Sequence, residues 1–148
     1  MKLKWMFSVP TTNEALYNAE KYYQIIFPKE YKEIVLQYNR ATAIPSPCCI
    51  YVSGKERVFV RLLSINTEDR MNIYNFSEIV DTNKKGKIIA FGEDPFGNYW
   101  CFDYSNNSVE PNIVFWDHEE AYTNPGYNPD FICDSFLDFL GSFQEPQE

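Results

Sequence analysis

The last two fifths of this 148-residue chain lack bases, and the whole of it is poor in histidine. All 13 Lys and Arg lie between Lys2 and Lys87. Of the 21 acids, nine precede Ile88 and 12 follow it, so the C-terminal part carries acids and no base. With a formal net charge of −8, the chain is a poor binder of nucleic acid, because phosphate contacts need Lys and Arg. The same shortage argues against docking on anionic lipid. One histidine and no Cys-x-x-Cys leave no closed zinc site in view. Cys48 and Cys49 are adjacent, and with Cys101 and Cys133 they are expected to stay reduced, in or near the core.

Other absences narrow the reading further. No segment approaches the ~20 apolar residues of a membrane helix. Met1–Pro10 places two lysines before about five apolar residues, shorter than a secretory apolar region. The chain is therefore expected to be soluble and cytoplasmic. There is no Gly-rich phosphate loop and no nucleophile elbow, and a catalytic triad would rest on His118 alone. No catalytic residue, metal or cofactor is expected.

What the chain does have is 45% hydrophobic and 18% aromatic residues, enough for a packed core. Thr12 or Asn13 can cap a first helix over about 13–25, with Leu16, Ala19, Tyr23 and Ile26 at helical spacing. Pro28 suits the first turn of a second helix, whose face carries Tyr31, Ile34, Val35 and Tyr38 and which ends near Asn39. Residues 41–47 read as a loop. Strands are expected at 49–53 and 57–65, joined by a turn at Ser53–Glu56, followed by a short helix at 73–80. A turn at Asn83–Gly86 leads to strands at 87–91, 99–104 and 112–117. Asp94-Pro95-Phe96-Gly97-Asn98 is a strong turn between the first two of these strands. Asn128, Pro129 and Asp130 look like the start of a final helix, with Ile132, Phe136, Phe139, Leu140 and Phe143 as its stripe. Gln144–Glu148 reads as a frayed tail. The fold class is α+β: one domain over 1–148 with a core at about 11–143, and a mostly antiparallel sheet with helices packed at the N- and C-terminal ends.

The acids of the C-terminal half are spaced among aromatics and turn residues, which describes a folded acidic surface rather than an acidic tail. Glu93 with Asp94, or Asp103 with Asp117, could form paired carboxylates, although Asp94 before Pro95 is more simply a turn residue. Asp117-His118-Glu119-Glu120 reads as a solvated acidic loop and converges poorly on a metal. The strand at 99–104 alternates, with Trp100, Phe102 and Tyr104 on one face and Tyr99, Cys101 and Asp103 on the other. One set belongs to the core. The other, set among acids, could meet Lys or Arg through ion pairs and cation–π contact, or stack sugars.

The order of these motifs resembles a known family. They are Phe27-Pro28-x-x-Tyr31, the run Phe91-Gly92-Glu93-Asp94-Pro95-Phe96-Gly97-Asn98-Tyr99-Trp100-Cys101-Phe102-Asp103-Tyr104, the run Pro111–Glu119, and Ser135–Leu140. From about Thr11 to Phe143 the chain is similar to the SUKH superfamily of bacterial immunity proteins, which includes fungal cell-wall regulators. The resemblance implies an α+β domain without catalytic residues. It implies a cognate toxin domain as partner, basic and nuclease-type, or alternatively a cellular protein bound by a regulatory scaffold. A monomer or weak dimer is expected. The candidate partner-binding residues are Glu93, Asp94, Tyr99, Asp103, Asp117, His118 and Glu119.

Overall fold

The computed structural model of the protein describes residues 3–46, 48–81 and 86–144. The helices begin where the chain supplies caps. Thr12 Oγ1 accepts from Ala15 N (3.1 Å) at the start of α1 (Asn13–Tyr23). That helix ends at Gln24, which turns left-handed at φ 56°. Pro28 precedes α2 (Lys29–Tyr38), one residue earlier than the first-turn position expected of it. Asn72 Oδ1 caps α3 (Ile73–Val80) by accepting from Asn75 N at 2.7 Å.

Among the described residues nine strands form two sheets. In chain order they are β1 (Lys4–Met6), β2 (Thr42–Ile44), β3 (Cys48–Val52), β4 (Lys55–Phe59), β5 (Arg61–Leu62), β6 (Ile88–Glu93), β7 (Tyr99–Asp103), β8 (Asn112–Trp116) and β9 (Asp130–Cys133). The main sheet is antiparallel throughout, in the order β1-β2-β5-β6-β7-β8-β9; β3 and β4 make a separate hairpin. Ser53 and Gly54, at φ 51° and 77°, form its two-residue turn, since tight hairpins need left-handed turn residues. Two further helices among the described residues are α4 (His118–Thr123) and α5 (Phe136–Gly141).

Several expected elements shift. The strand expected at 57–65 is divided at Val60, because β4 belongs to the hairpin and β5 to the main sheet. Thr42–Ile44, expected as loop, is a strand paired to both β1 and β5, and its Ala43 is fully buried. The largest correction concerns the final helix. Asp130–Cys133 is not its first turn but strand β9 on β8, and the helix starts at Phe136 under a Ser135 cap. Ile132 to Phe136 is an interval of four, which satisfies a strand's period of two as well as a helical turn. Gln144 is not frayed: it exchanges two main-chain hydrogen bonds with Cys49, at 2.8 and 3.0 Å. Residues 145–148, and 83–85 of the expected Asn83–Gly86 turn, lie outside the described residues.

The core lies on both faces of β6 and β7. Trp100, Phe102 and Tyr104 all point to the face covered by α2 and α5. There Phe102 meets Tyr31 (5.0 Å) and Phe136 (5.7 Å), and Trp100 meets Phe139 (5.2 Å). These edge and tilted pairs are the geometries that aromatic quadrupoles favour. The opposite face carries Tyr99, Cys101 and Asp103 and is covered by α3. Ser77 Oγ of that helix accepts from Ala90 N of β6 (2.9 Å), and Phe76 packs on Tyr99 at 4.9 Å. Gly92 lets the Phe59 ring sit against β6; a Cβ there would lie inside contact distance of it. All four cysteines are free; three are buried and Cys133 is half-buried.

Candidate functional site

The turn between β6 and β7 is built around one carboxylate. Asp94 is buried, and its side chain accepts from Phe96 N (2.8 Å), Asn98 N (2.9 Å) and Asn98 Nδ2 (2.8 Å). A carboxylate holding three N–H groups fixes the loop conformation that Pro95 and Gly97 (φ 85°) begin. The amide of Asn98, thus oriented, turns its Oδ1 to the next element. That oxygen accepts from His118 N (3.0 Å) and lies 2.7 Å from His118 Nδ1, so Nδ1 carries the ring proton.

His118 opens α4, and Asp117 caps it by accepting from Glu119 N (2.9 Å) and Glu120 N (3.2 Å). Asp117 N donates to Tyr127 Oη (3.1 Å), which donates to Phe115 O (3.3 Å). The expected acidic loop is therefore a short helix with its acids in the first turn, where the helix dipole favours them. Its outward side presents Glu119, Glu120 and Tyr122, and Tyr122 is 91% exposed. Phe96, 66% exposed, stands at the tip of the bonded turn. The β6–β7 turn and α4 together make one surface in which exposed aromatics stand among free carboxylates.

The residues expected to form the site divide into three groups. Asp94, Asp117 and His118 come together at this end of the sheet, but the two aspartates are occupied in holding the backbone. Only Glu119 is an exposed carboxylate free to meet a partner. Glu93 and Tyr99 are cross-strand neighbours on the α3 face, in a row that runs from Arg61 through Glu93 and Tyr99 to Trp116. Glu93 Oε1 lies 3.0 Å from Arg61 Nε. Burial raises the Glu93 pKa, and the Arg61 charge opposes that rise. Tyr99 is half-buried between Phe76 and Trp116, and burial raises its pKa. Asp103 is at the far end of β7, about 13 Å from Tyr99 by strand rise. It accepts from Ser105 N (2.9 Å) and takes no part in the α4 surface. The pair Asp103 and Asp117 is excluded for the same reason: Asp103 faces Asn112 at one end of β8, and Asp117 follows its other end.

Sequence reasoning placed Glu120 in a solvated acidic loop but outside the partner-binding set, and missed Phe96 and Tyr122 as surface residues and Asn98 as the link between turn and helix. The signal for α4 was present in Asp117 followed by Glu119 and Glu120, an N-cap with acids behind it. Among the described residues no three His, Cys, Asp or Glu side chains converge on a metal site. No described helix is long and apolar enough to cross a membrane.

The scaffold is an α+β fold, mostly antiparallel, with Phe96, Glu119, Glu120 and Tyr122 exposed at one sheet end. The family model SUKH_6, described as SMI1-KNR4 cell-wall, matches residues 13–140, and the chain belongs to that family within the SUKH superfamily. No curated protein matches the chain.

Proposed function

We propose that this protein is an immunity protein that binds a basic bacterial toxin domain of the nuclease class and neutralises it without catalysis. The observation that carries the proposal is the charge asymmetry, 12 acids and no base from Ile88 onward, with Glu119, Glu120, Tyr122 and Phe96 exposed together at α4 and the β6–β7 turn. Membership of the SUKH superfamily supports a protein-binding role. A nuclease presents a basic groove to its substrate. A surface of carboxylates and aromatics would compete for that groove sterically and electrostatically, and would speed encounter at low salt. Phe96 and Tyr122 would supply ring faces for Arg and Lys side chains. The protein acts in this reading in the cytoplasm, where it would shield the cell that makes it.

The test is binding of the purified protein to the toxin domain encoded beside its gene, at two salt concentrations, with toxin activity followed in parallel. Glu119→Lys/Glu120→Lys is the informative variant. Both residues are exposed and neither holds another element, whereas reversing Asp94 or Asp117 would disturb the fold. Tight, salt-sensitive binding with loss of toxin activity is expected, weakened about tenfold or more in the variant, with a flatter salt dependence. Unchanged affinity in the variant overturns the acidic-surface mechanism. No binding by the native chain overturns the immunity reading and shifts the weight to a regulatory scaffold for a cellular protein.

A further inference from the structure

The sheet end remote from α4 carries a second feature. The last turn of α1, with Tyr22 and Tyr23 and the cap Gln24, faces the last turn of α3, with Ser77, Glu78 and Asp81, across an open cleft of about 760 Å³. Tyr74 and the segment Gly86–Lys87 complete its lining. Three tyrosine rings meet there. Tyr22 stands edge-on to Tyr23 at 4.9 Å and to Tyr74 at 5.3 Å, while Tyr23 and Tyr74 lie nearly parallel at 5.7 Å. Tyr22 is 67% exposed, an unusual position for a large ring already ordered by two others. The α1–α2 linker is tied to this end of the sheet by Tyr104 Oη donating to Ile26 O (2.8 Å) and Ile26 N to Ser108 O (3.0 Å).

Three features of the described lining favour a cation over an anion. The ring faces are the negative lobes of the tyrosine quadrupoles. Two helices end at the cleft, and each C-terminus carries partial negative charge on its last carbonyls. The described lining also holds two carboxylates against one base, Lys87. Of these, Glu78 is exposed, and Asp81 Oδ2 accepts from Gly86 N at 2.6 Å. Burial raises the pKa of Tyr23 and of Tyr74, so both stay neutral and act through their rings. Lys84 and Lys85 lie outside the described residues and carry no part of the argument.

We propose that this cleft binds an organic cation: an alkylammonium or guanidinium group on an apolar stem. The stem packs on the tyrosine faces while the charge sits between the rings, Glu78 and the two helix ends. Among the described lining an anion meets a counter-charge only at Lys87. The proposal stands independently of the toxin reading, because the cleft and the α4 surface lie at opposite ends of the sheet. The cation has two possible sources, a free small molecule or a basic side chain of a bound protein.

The experiment is a titration of the full chain followed by amide and aromatic NMR shifts at low salt. The ligands are choline, its neutral isostere 3,3-dimethyl-1-butanol, and blocked arginine (N-acetyl-arginine methylamide). Choline or blocked arginine should shift Tyr22, Tyr74 and Glu78 saturably, with the neutral isostere about fivefold weaker or less. Tyr22→Ala should weaken binding about three- to tenfold. Glu78→Gln, at an exposed position that leaves the fold intact, should weaken it about two- to fivefold. Stronger binding of choline supports a free small cation, and stronger binding of blocked arginine supports a protein side chain. The proposal fails if no ligand saturates below about 50 mM. It also fails if the neutral isostere binds as well as choline, or if both variants bind like the native chain.

Discussion

Replacing Asp94 with alanine tests the central geometric claim about the turn. Three N–H groups, those of Phe96, Asn98 and the Asn98 side chain, lose their common acceptor. A hydrogen bond to a charged group contributes about 1.5–3 kcal/mol, and a buried donor left unpaired costs about 1–3 kcal/mol. Phe96 is at the exposed tip and can regain water, whereas Asn98 is buried. The net loss is therefore about 2–4 kcal/mol, less than the sum of three full bonds. For a chain of this length that corresponds to a drop in Tm of roughly 6–14 °C. Urea unfolding followed by tryptophan fluorescence measures it, since Trp100 is fully buried. Because Asn98 also holds His118, Asn98→Ala should not add to Asp94→Ala: the double variant should show coupling of about 1 kcal/mol or more. A loss below about 0.5 kcal/mol for Asp94→Ala, or full additivity with Asn98→Ala, would refute the reasoning.

Other outcomes follow from the same structure. Gly92→Ala should destabilise by about 1–3 kcal/mol, measured in the same urea experiment, because its Cβ would press on the Phe59 ring and the Arg61 carbonyl. Tyr31→Phe should leave stability unchanged or raise it by up to about 1 kcal/mol, because the Tyr31 hydroxyl is buried without a partner among the described residues. Burial pushes the Cys48 and Cys133 thiols from 9.0 up to about 11, so folded protein at pH 8 should alkylate at these sites about a hundredfold more slowly than unfolded chain. The sign for stability follows from the same shifts. A thiol raised in the folded state is protonated in both states below pH 9, so stability is full there and falls as pH rises from about 9 to 11. An alkaline midpoint curve that stays flat across that window contradicts it.

Much of the fold was legible in local patterns. Thr12 caps α1 as expected, Asn72 precedes α3 at its expected start, and Asp94-Pro95-Phe96-Gly97-Asn98 is the expected turn. Trp100, Phe102 and Tyr104 share a buried face because period two leaves a strand no other choice. What failed were elements whose state depends on a neighbour. β1 and β2 are three residues each and exist only by pairing. β9 is a strand because β8 offers a free edge, and its Asp130 holds Arg57 at 2.7 Å.

The same division applies to the site. The family, the α+β class, the central hairpin and the one-signed charge of the C-terminal part could be read from residue order alone, because caps, turns, alternation and charge are written in short windows. Which acids are free depends on how the elements pack. Asp94 and Asp117 are consumed by backbone N–H groups, Glu93 is paired with Arg61, and Asp103 stands at the other end of the sheet. Glu119 and Glu120 remain exposed beside Phe96 and Tyr122. A carboxylate's availability depends on which donors the fold brings within about 3 Å of it, and for Glu93 and Asp94 that is settled by strand register and turn geometry rather than by residue type.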